Sequence, residues 1–365
     1  MSMRFGVFLP QGWRQDLDEI GDPVQQYEAM THVARVAEDE GYDSLWVFDH
    51  FHAVPEPAQK TTFEAWTVTA TLARDTRRAH IGQLVTCAGY RNTALLAKMA
   101  STLNVASHGR LYVGLGAGWY VQEWRAYGND FPDLRERMDR FREAVEIIHR
   151  MWTEDIPTFR GQYHHIERAI NQPKGARGRH PPLWLGGGGE RVTLRLVAEQ
   201  GDACNINGDA PTLRRRLEVL RQHCDMIGRE CAEIIKSTAV AVQLLDDNRR
   251  PALEHLSTVR AESSIIGTPV EVIERLCELA DIGIDYVILT FSAGGLQLRT
   301  IAAIRSPGDA GVLESWSRCL KLSSSARWTP TWIVYTSSVV ELRPPAVHGK
   351  VKCGGGRTVT KEIRA

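Results

Sequence analysis

The amino-acid sequence predicts a (β/α)8, or TIM, barrel. Along residues 4–291, short apolar segments that are typical of buried strands alternate with longer amphipathic segments that are typical of helices. The strand segments number eight, and their alternation with helices implies parallel strands joined by right-handed crossovers. Ionisable or glycine-rich residues come directly after several of these strands, which is where a barrel carries its functional groups.

The composition predicts a globular cytoplasmic protein that acts on a small molecule and binds neither nucleic acid nor a membrane surface. Lys and Arg together number 44, as do Asp and Glu, so no net charge attracts a polyanion. No stretch approaches the ~18 apolar residues of a membrane span, and the first residues have no signal-peptide pattern. The seven cysteines form no Cys-x-x-Cys pair, which favours a reducing compartment without disulfides or structural zinc.

The second strand, residues 44–48, is predicted by the preceding helix as well as by its own residues. Residues 24–40 have the apolar spacing of a helix, and Gly41 stands where a glycine would end that helix. The strand itself contains an unbroken Leu-Trp-Val-Phe run, as expected of a parallel strand covered on both faces. Asp49 and His50 come next, so we expect them at the C-terminal mouth of the barrel.

The other elements are predicted in order by the same alternation. The eight strands are expected at residues 4–9, 44–48, 80–85, 111–115, 183–185, 203–206, 236–242 and 286–291. The helices between them are expected at residues 24–40, 64–75, 95–107, 135–151, 191–199, 212–227 and 270–280.

Two segments do not follow this alternation of strands and helices. Residues 153–182 contain three glycines and several prolines and are too long for an ordinary connection. They form an insertion after the fourth helix, either over a functional face or on the plain surface.

Residues 293–365 hold eleven Lys or Arg against four Asp or Glu and show no clean period. We therefore predict a barrel domain over residues 1–292 and a basic, atypical tail, which is either disordered or a basic interaction arm.

Two loops at strand ends could accept a flat ligand. Thr86 and Cys87 come after the third strand with a glycine nearby, and they offer a hydroxyl and backbone amides. After the fourth strand, three alternating glycines at 114–118 allow a close approach to the backbone, and Trp119 and Tyr120 come next. These two aromatic residues either stack on a ring or pack under the insertion.

The strongest physical signal is the glycine run 186–189 after the fifth strand. Four glycines lead directly into a predicted helix, so free backbone N–H groups and the helix dipole face one point. Arg191 and Thr193 add a positive charge and a hydroxyl. The pattern predicts an anion site, most simply for phosphate, and a flexible turn is the alternative.

Several stretches together resemble the luciferase-like monooxygenase superfamily. They are Phe-Gly-Val-Phe-Leu-Pro at 5–10, Gly-Tyr-Asp-Ser-Leu-Trp-Val-Phe-Asp-His at 41–50 and Gly-Arg-Leu-Tyr-Val-Gly-Leu-Gly-Ala-Gly-Trp-Tyr at 109–120. Glu-Trp-Arg-Ala-Tyr-Gly at 123–128, the Pro-to-Gly stretch 182–189 and Thr-Leu-Arg-Leu at 193–196 narrow the resemblance to deazaflavin (coenzyme F420) oxidoreductases. The resemblance covers about residues 3–291.

The resemblance implies a luciferase-like barrel with the deazaflavin across its mouth, a hydride exchanged at the cofactor's C5 carbon, and a homodimer. It implies that His50 stands near the reacting carbon as proton donor, acceptor or charge stabiliser. It also implies a non-prolyl cis peptide within residues 84–88. The implied cofactor-binding residues are Asp49, Thr86, Cys87, Gln122, Gly186, Gly187, Gly188 and Arg191.

One position departs from the sugar-phosphate dehydrogenases of this family. Trp119 stands where those enzymes carry a glutamate of their acid/base pair, and Glu123 belongs to a different motif. The sequence therefore leaves open which acid partners His50. We expect a fairly apolar substrate pocket lined by Trp13, Trp119 and Tyr120, and reduction of an activated C=C or C=N bond, or the reverse reaction.

Three alternatives come from other classes of protein. An FMN-dependent monooxygenase would keep the same fold and activate oxygen. A metal-dependent hydrolase could use His50 and His52, whose spacing puts both rings on one side of a strand. Later strand ends supply no further metal ligands, so we expect no metal. A deazaflavin-binding protein without catalysis is the third.

Overall fold

The computed structural model describes residues 3–244 and 264–291 of the chain. The strands are β1 (Arg4–Phe8), β2 (Ser44–Val47), β3 (His80–Cys87), β4 (Leu111–Gly116), β5 (Phe159–Arg160), β6 (His165–Ile166), β7 (Leu183–Gly186), β8 (Ala203–Asn205), β9 (Ile235–Leu244), β10 (Ser264–Gly267) and β11 (Tyr286–Phe291). The α-helices are α1 (Pro23–Asp39), α2 (Ala65–Asp75), α3 (Thr93–Ala106), α4 (Val121–Ala126), α5 (Leu134–Thr153), α6 (Thr193–Gln200), α7 (Ala210–Ile227) and α8 (Pro269–Ile282).

The predicted barrel is confirmed. Eight parallel strands succeed one another around it in the order β1, β2, β3, β4, β7, β8, β9 and β11, and β11 pairs with β1 to close the ring. Each of these strands matches a strand expected from the sequence. Three short elements were not expected: the helix α4, the strand β10, which pairs with β9, and the antiparallel hairpin β5–β6.

Local sequence explains where the helices begin. Among the described residues, six N-cap side chains accept a hydrogen bond from the backbone N–H three residues further on, which satisfies a donor that the first turn leaves free. These caps are Asp22, Glu64, Asn92, Asp133, Asp209 and Thr268. At the other end, Gly228 ends α7 with a φ of 69°, a conformation that glycine adopts without steric cost.

The strands bury two different faces, as the two-residue period of a strand requires. Leu45 and Val47 of β2 pack outward against the helices, whereas Trp46 points into the barrel. Inside, the ring centroids of Trp46 and Trp184 lie 4.9 Å apart, and those of Trp184 and Tyr286 lie 5.2 Å apart. The interior is thus a packed aromatic core, which leaves the C-terminal ends of the strands as the place for a site.

The insertion predicted at residues 153–182 holds the β5–β6 hairpin and a 3-10 turn, Ala176–Gly178, and it contributes no barrel strand. The hairpin packs along α5, because its backbone N–H groups at Gln162, Tyr163 and His164 donate to the Glu143 carboxylate. The tail at 293–365 lies outside the described residues, so the domain division at 292 stays a prediction. Within the described ranges, no helix is long and apolar enough to cross a membrane.

Candidate active site at the barrel mouth

The end of β2 is held in place by a buried glutamine from the loop after β1. Gln11 is fully buried, and its side-chain amide accepts from Phe48 N at 2.7 Å and donates to Phe48 O at 2.9 Å. It also donates to Phe63 O at 2.5 Å. Phe48 immediately precedes Asp49 and His50, so this clamp fixes the point at which both side chains leave the strand.

Asp49 joins the ends of β2 and β3. Its side chain is fully buried, and its carboxylate receives two hydrogen bonds from the Arg91 guanidinium, at 2.7 and 2.8 Å, and one from Cys87 N at 2.9 Å. Arg91 also donates to Glu64 at 2.5 Å. Burial alone would lower the pKa of Arg91, but its ion pairs with Asp49 and Glu64 outweigh burial and raise it. Sequence reasoning placed Asp49 at the mouth but missed Arg91.

The acid that partners His50 is Glu123, from α4. His50 Nδ1 lies 2.8 Å from Glu123 Oε2, and the Glu123 side chain is fully buried. The same carboxylate accepts from Phe51 N at 2.6 Å, His52 N at 3.2 Å and Tyr90 Oη at 2.7 Å. Burial alone would raise the pKa of Glu123, but these hydrogen bonds outweigh burial and hold it below its ordinary value. Glu123 is therefore ionised, and His50 donates to it from Nδ1.

The aromatic residues predicted to line a substrate pocket do surround His50. Trp13 stacks on the imidazole with ring centroids 4.2 Å apart and an interplanar angle of 2°. Trp119 and Tyr120 present their rings to the imidazole edge-on, at 5.9 and 6.0 Å. Trp119 is 63% exposed, whereas the imidazole of His50 is 11% exposed. Trp13, Trp119 and Tyr120 thus surround His50, and the exposed ring of Trp119 leaves the site open to solvent. These three residues form the aromatic wall of the site.

His52 lies beside this wall and shows no metal-binding arrangement. Its ring centroid is 5.3 Å from that of Tyr120, and its Nε2 is buried without a hydrogen-bond partner. Among the described residues, no group of three or more His, Cys, Asp or Glu side chains could hold a metal ion.

Val85, in β3, lies against the glycines that end β4 and β7. The cis peptide implied by the resemblance lies between Leu84 and Val85. A Cβ added at Gly116 or at Gly186 would lie 2.6 Å from a Val85 methyl group, so both glycines make room for this side chain at the mouth. Val85 thereby forms an apolar floor between the ends of β4 and β7.

Three predicted cofactor-binding side chains lie in different surroundings. Thr86 is fully buried toward α2, where its hydroxyl accepts from the Trp66 indole N–H at 3.2 Å. Cys87 is 6% exposed, and burial raises the pKa of its thiol to about 12. Gln122 is exposed on α4 and accepts from Tyr120 Oη at 2.9 Å.

The glycine run after β7 forms a cradle that a side chain would fill. Gly187 has a φ of +127°, and a Cβ added at Gly189 would lie 3.0 Å from the Thr193 hydroxyl at the start of α6. A Cβ added at Gly188 would lie 2.7 Å from Arg216 Nη1. Arg191 is exposed, and it lines a groove with Arg142 and Arg195 instead. Arg216, from α7, is the arginine at the loop, and sequence reasoning missed it.

Comparison with known proteins assigns this arrangement to a family. The sequence model of luciferase-like monooxygenases matches residues 3–261. An F420-dependent glucose-6-phosphate dehydrogenase of Kineococcus radiotolerans is 29% identical, over 75% of this chain and 82% of that protein. The corresponding enzyme of Amycolatopsis mediterranei is 27% identical, over 83% of this chain and 90% of its own length.

A solved structure agrees at the level of the fold. An F420-dependent secondary alcohol dehydrogenase in complex with an F420–acetone adduct superimposes with a TM-score of 0.71 and 20% sequence identity, covering 83% of this chain and 98% of that one. Since the family model spans most of the barrel, and the barrel mouth carries the Asp49-His50 pair and the glycine cradle, the chain belongs to the luciferase-like monooxygenase family.

Proposed function

We propose that the protein is an F420-dependent oxidoreductase that transfers a hydride between the deazaflavin and a small organic substrate. The observation that carries the proposal is the Glu123-held imidazole of His50 at the mouth of a barrel whose sequence relatives are F420-dependent enzymes. The FMN monooxygenase alternative has the same fold, but neither of these relatives is an FMN enzyme.

The residues of the mouth fit a flat cofactor with an anionic tail. Val85 provides an apolar floor, and the cradle at Gly187–Gly189 has no side chain of its own to occupy it. Gly188 would offer a backbone N–H to the phosphate, as glycine loops before helices do. Gly187 N already donates to Asn205 O at 3.0 Å, so Gly186 and Gly187 would contribute by letting the phosphate approach the backbone closely. Asp49 would act on the ring region indirectly, by fixing the Cys87 backbone through its accepted hydrogen bond.

When bound, F420 supplies or accepts a hydride at its C5 carbon. The protein itself must accept or donate the proton of the reaction. Glu123 fixes Nδ1 of His50 as a donor, so Nε2 is the ring nitrogen that can take a proton from a substrate or give one to it. The buried carboxylate also stabilises the positive charge that His50 carries when both nitrogens are protonated. Trp13 holds the imidazole plane by stacking against it.

The wall formed by Trp13, Trp119 and Tyr120 favours a fairly apolar substrate with an activated C=C or C=N bond, or the product of its reduction. Aromatic side chains exclude water from the bond that receives the hydride and pack against apolar groups. In the reductive direction, His50 would protonate the atom next to the one that receives the hydride.

A sugar phosphate is the second candidate, because the two sequence relatives from Kineococcus and Amycolatopsis are glucose-6-phosphate dehydrogenases. One observation in the structure favours it. The Arg14 guanidinium carbon lies 4.7 Å from the ring centroid of Phe48 and 5.2 Å from that of Trp13. It therefore places a positive charge beside the aromatic wall, where a phosphate group could pair with it.

Turnover of F420 without oxygen tests the function and separates the two substrates. Oxidised F420 would be incubated with glucose 6-phosphate, and reduced F420 with an enone or an imine, while deazaflavin absorbance is monitored. We expect turnover with the enone, the imine or both. Turnover with glucose 6-phosphate alone would establish the second candidate, and turnover only with FMN and oxygen would contradict the proposal.

A further inference from the structure

Arg216 lies directly against the glycine loop at residues 186–189. An added Cβ at Gly188 would lie 2.3 Å from Arg216 Cζ, so the guanidinium packs directly against the backbone of the loop at residue 188. Arg216 Nη1 donates to the backbone carbonyl of Asn207, just beyond the end of β8. That bond holds the half-buried guanidinium over the loop.

The guanidinium retains unused hydrogen-bonding capacity. Arg216 Nε is buried and has no hydrogen-bond partner. In the described part of the chain, no carboxylate lies within ion-pair distance of Arg216, whereas its neighbour Arg215 pairs with Glu190 at 3.0 Å. Asp209 interacts with Arg216 electrostatically, but its carboxylate caps α7 by accepting from Thr212 N. A positive charge thus faces the loop without a direct counter-charge.

We propose that Arg216 binds the phosphate of the cofactor and makes the enzyme selective for the phosphorylated deazaflavin. This inference rests on the proposed function. The planar fork of a guanidinium matches two phosphate oxygens, and such charge-assisted bonds are about twice as strong as neutral ones. Arg191, which the sequence suggested for this role, points instead to the groove that it shares with Arg142 and Arg195.

The test compares two probes by quenching of protein fluorescence: coenzyme F420 and the same deazaflavin without its phosphate. We expect Arg216→Gln to weaken F420 binding about tenfold to a hundredfold and to leave the unphosphorylated probe within about twofold of wild type. Arg216→Lys keeps the charge but loses the planar fork, so its F420 affinity should lie between those of wild type and Arg216→Gln. The matched control is Arg215→Gln on the same helix, which should change neither affinity.

Retained affinity for the unphosphorylated probe shows that the variant is folded. Equal F420 affinity in wild type and Arg216→Gln would overturn the inference, and so would a loss confined to Arg191→Gln. Equal loss of both probes in Arg216→Gln would indicate a structural role and overturn it as well. A wild-type protein that binds neither probe would overturn the proposed function together with this inference.

Discussion

At the scale of single residues, the chemistry depends on how Glu123 holds His50. The carboxylate is enclosed by protein and accepts hydrogen bonds from two backbone amides and from Tyr90 in addition to the imidazole. Because all of these donors favour the ionised form, the carboxylate keeps its charge without solvent. The imidazole is then fixed in one tautomer, with Nε2 left for proton transfer, as a base oriented by a third group requires.

Replacing the imidazole should abolish the proton step without removing the cofactor. We expect His50→Ala to lower kcat by about 10²-fold to 10⁴-fold, the range typical of a positioned general acid or base. F420 affinity, measured by fluorescence quenching, should stay close to wild type because the side chain makes no contact with the glycine cradle. A His50→Ala protein that binds F420 and keeps full turnover would exclude His50 from the chemistry.

Removing only the charge of Glu123 should have a smaller effect on rate and a clear effect on stability. Glu123→Gln keeps the shape of the side chain but loses the ionised acceptor, so we expect kcat to fall about tenfold to a hundredfold. The buried donors lose a charged partner, which should lower the free energy of unfolding at pH 7 by about 1–3 kcal/mol. Turnover and urea unfolding of the two proteins check both values.

The stability difference should depend on pH in a defined direction. The pKa of Glu123 is lowered by folding, so its contribution is fully present above the unfolded pKa of about 4.3 and is lost as pH falls through the lower folded pKa. The stability difference between wild type and Glu123→Gln should therefore shrink progressively as pH falls below about 4.3. A difference that stays constant from pH 7 to pH 3 would show that Glu123 is not ionised in the native protein.

Residue by residue, the sequence predicted the side chains that come directly after a strand but not those that reach the site from distant loops. His50, Trp13 and Tyr120 could be proposed from motifs and strand ends. Glu123 is 73 residues from its partner His50, and nothing in the spacing of the two residues shows that the loops meet. Arg91 is similar, because its ion pairs with Asp49 and Glu64 join three separate loops.

At the scale of elements, the position of β2 relative to the mouth depends on the Gln11 clamp. β2 ends at Val47, and the next residue has both its backbone N–H and its carbonyl bonded to one glutamine side chain. A strand end without a neighbour would otherwise leave these two buried groups unpaired. The clamp therefore satisfies the backbone and aims Asp49 and His50 at the same time.

Removing this clamp should affect stability and turnover together. We expect Gln11→Ala to lower the free energy of unfolding by about 2–4 kcal/mol, since it leaves buried backbone groups without partners. Turnover should fall at least tenfold because His50 is no longer held in register. The control is Gln25→Ala, on the exposed face of α1, which should alter neither. Unchanged stability in Gln11→Ala would contradict the clamp.

Among the elements, the eight barrel strands could be predicted because their apolar runs are bounded by helices and turns. The helix α4 and the strand β10 could not, since they span only six and four residues and are too short to show a period. The omission of α4 had a consequence for the site, because α4 carries Glu123.

At the scale of the whole molecule, the aromatic interior of the barrel joins strands from different parts of the chain into one core. Trp46 and Trp184 are fully buried, and Trp46 also stacks near Tyr112 with ring centroids 5.8 Å apart. The Tyr286 hydroxyl donates to Ser44 at 2.6 Å and so joins β11 to β2 across the base of the barrel. These contacts connect strands that lie far apart in the sequence.

Truncating one of these rings should unfold the protein far more readily than truncating a ring at the mouth. We expect Trp46→Ala to cost about 3–5 kcal/mol in the free energy of unfolding, measured in urea. Trp119→Ala, whose ring is 63% exposed, should stay within about 0.5 kcal/mol of wild type. Equal losses in the two variants would show that the interior is not the stabilising core.

The overall architecture was the part most accessible from sequence, because strand and helix periods repeat and only a few topologies satisfy them. The substrate was the least accessible, since its selection depends on side chains from several loops. The homodimer and the cytoplasmic location stay predictions, as does the boundary at residue 292.

A parallel titration of the cofactor-free protein with F420 and with FMN tests the central claim most directly. Both binding curves would be read from quenching of protein fluorescence under the same conditions. We predict saturable F420 binding that is at least about tenfold tighter than FMN binding. Tighter binding of FMN, or no saturable binding of F420, would contradict an F420-dependent oxidoreductase.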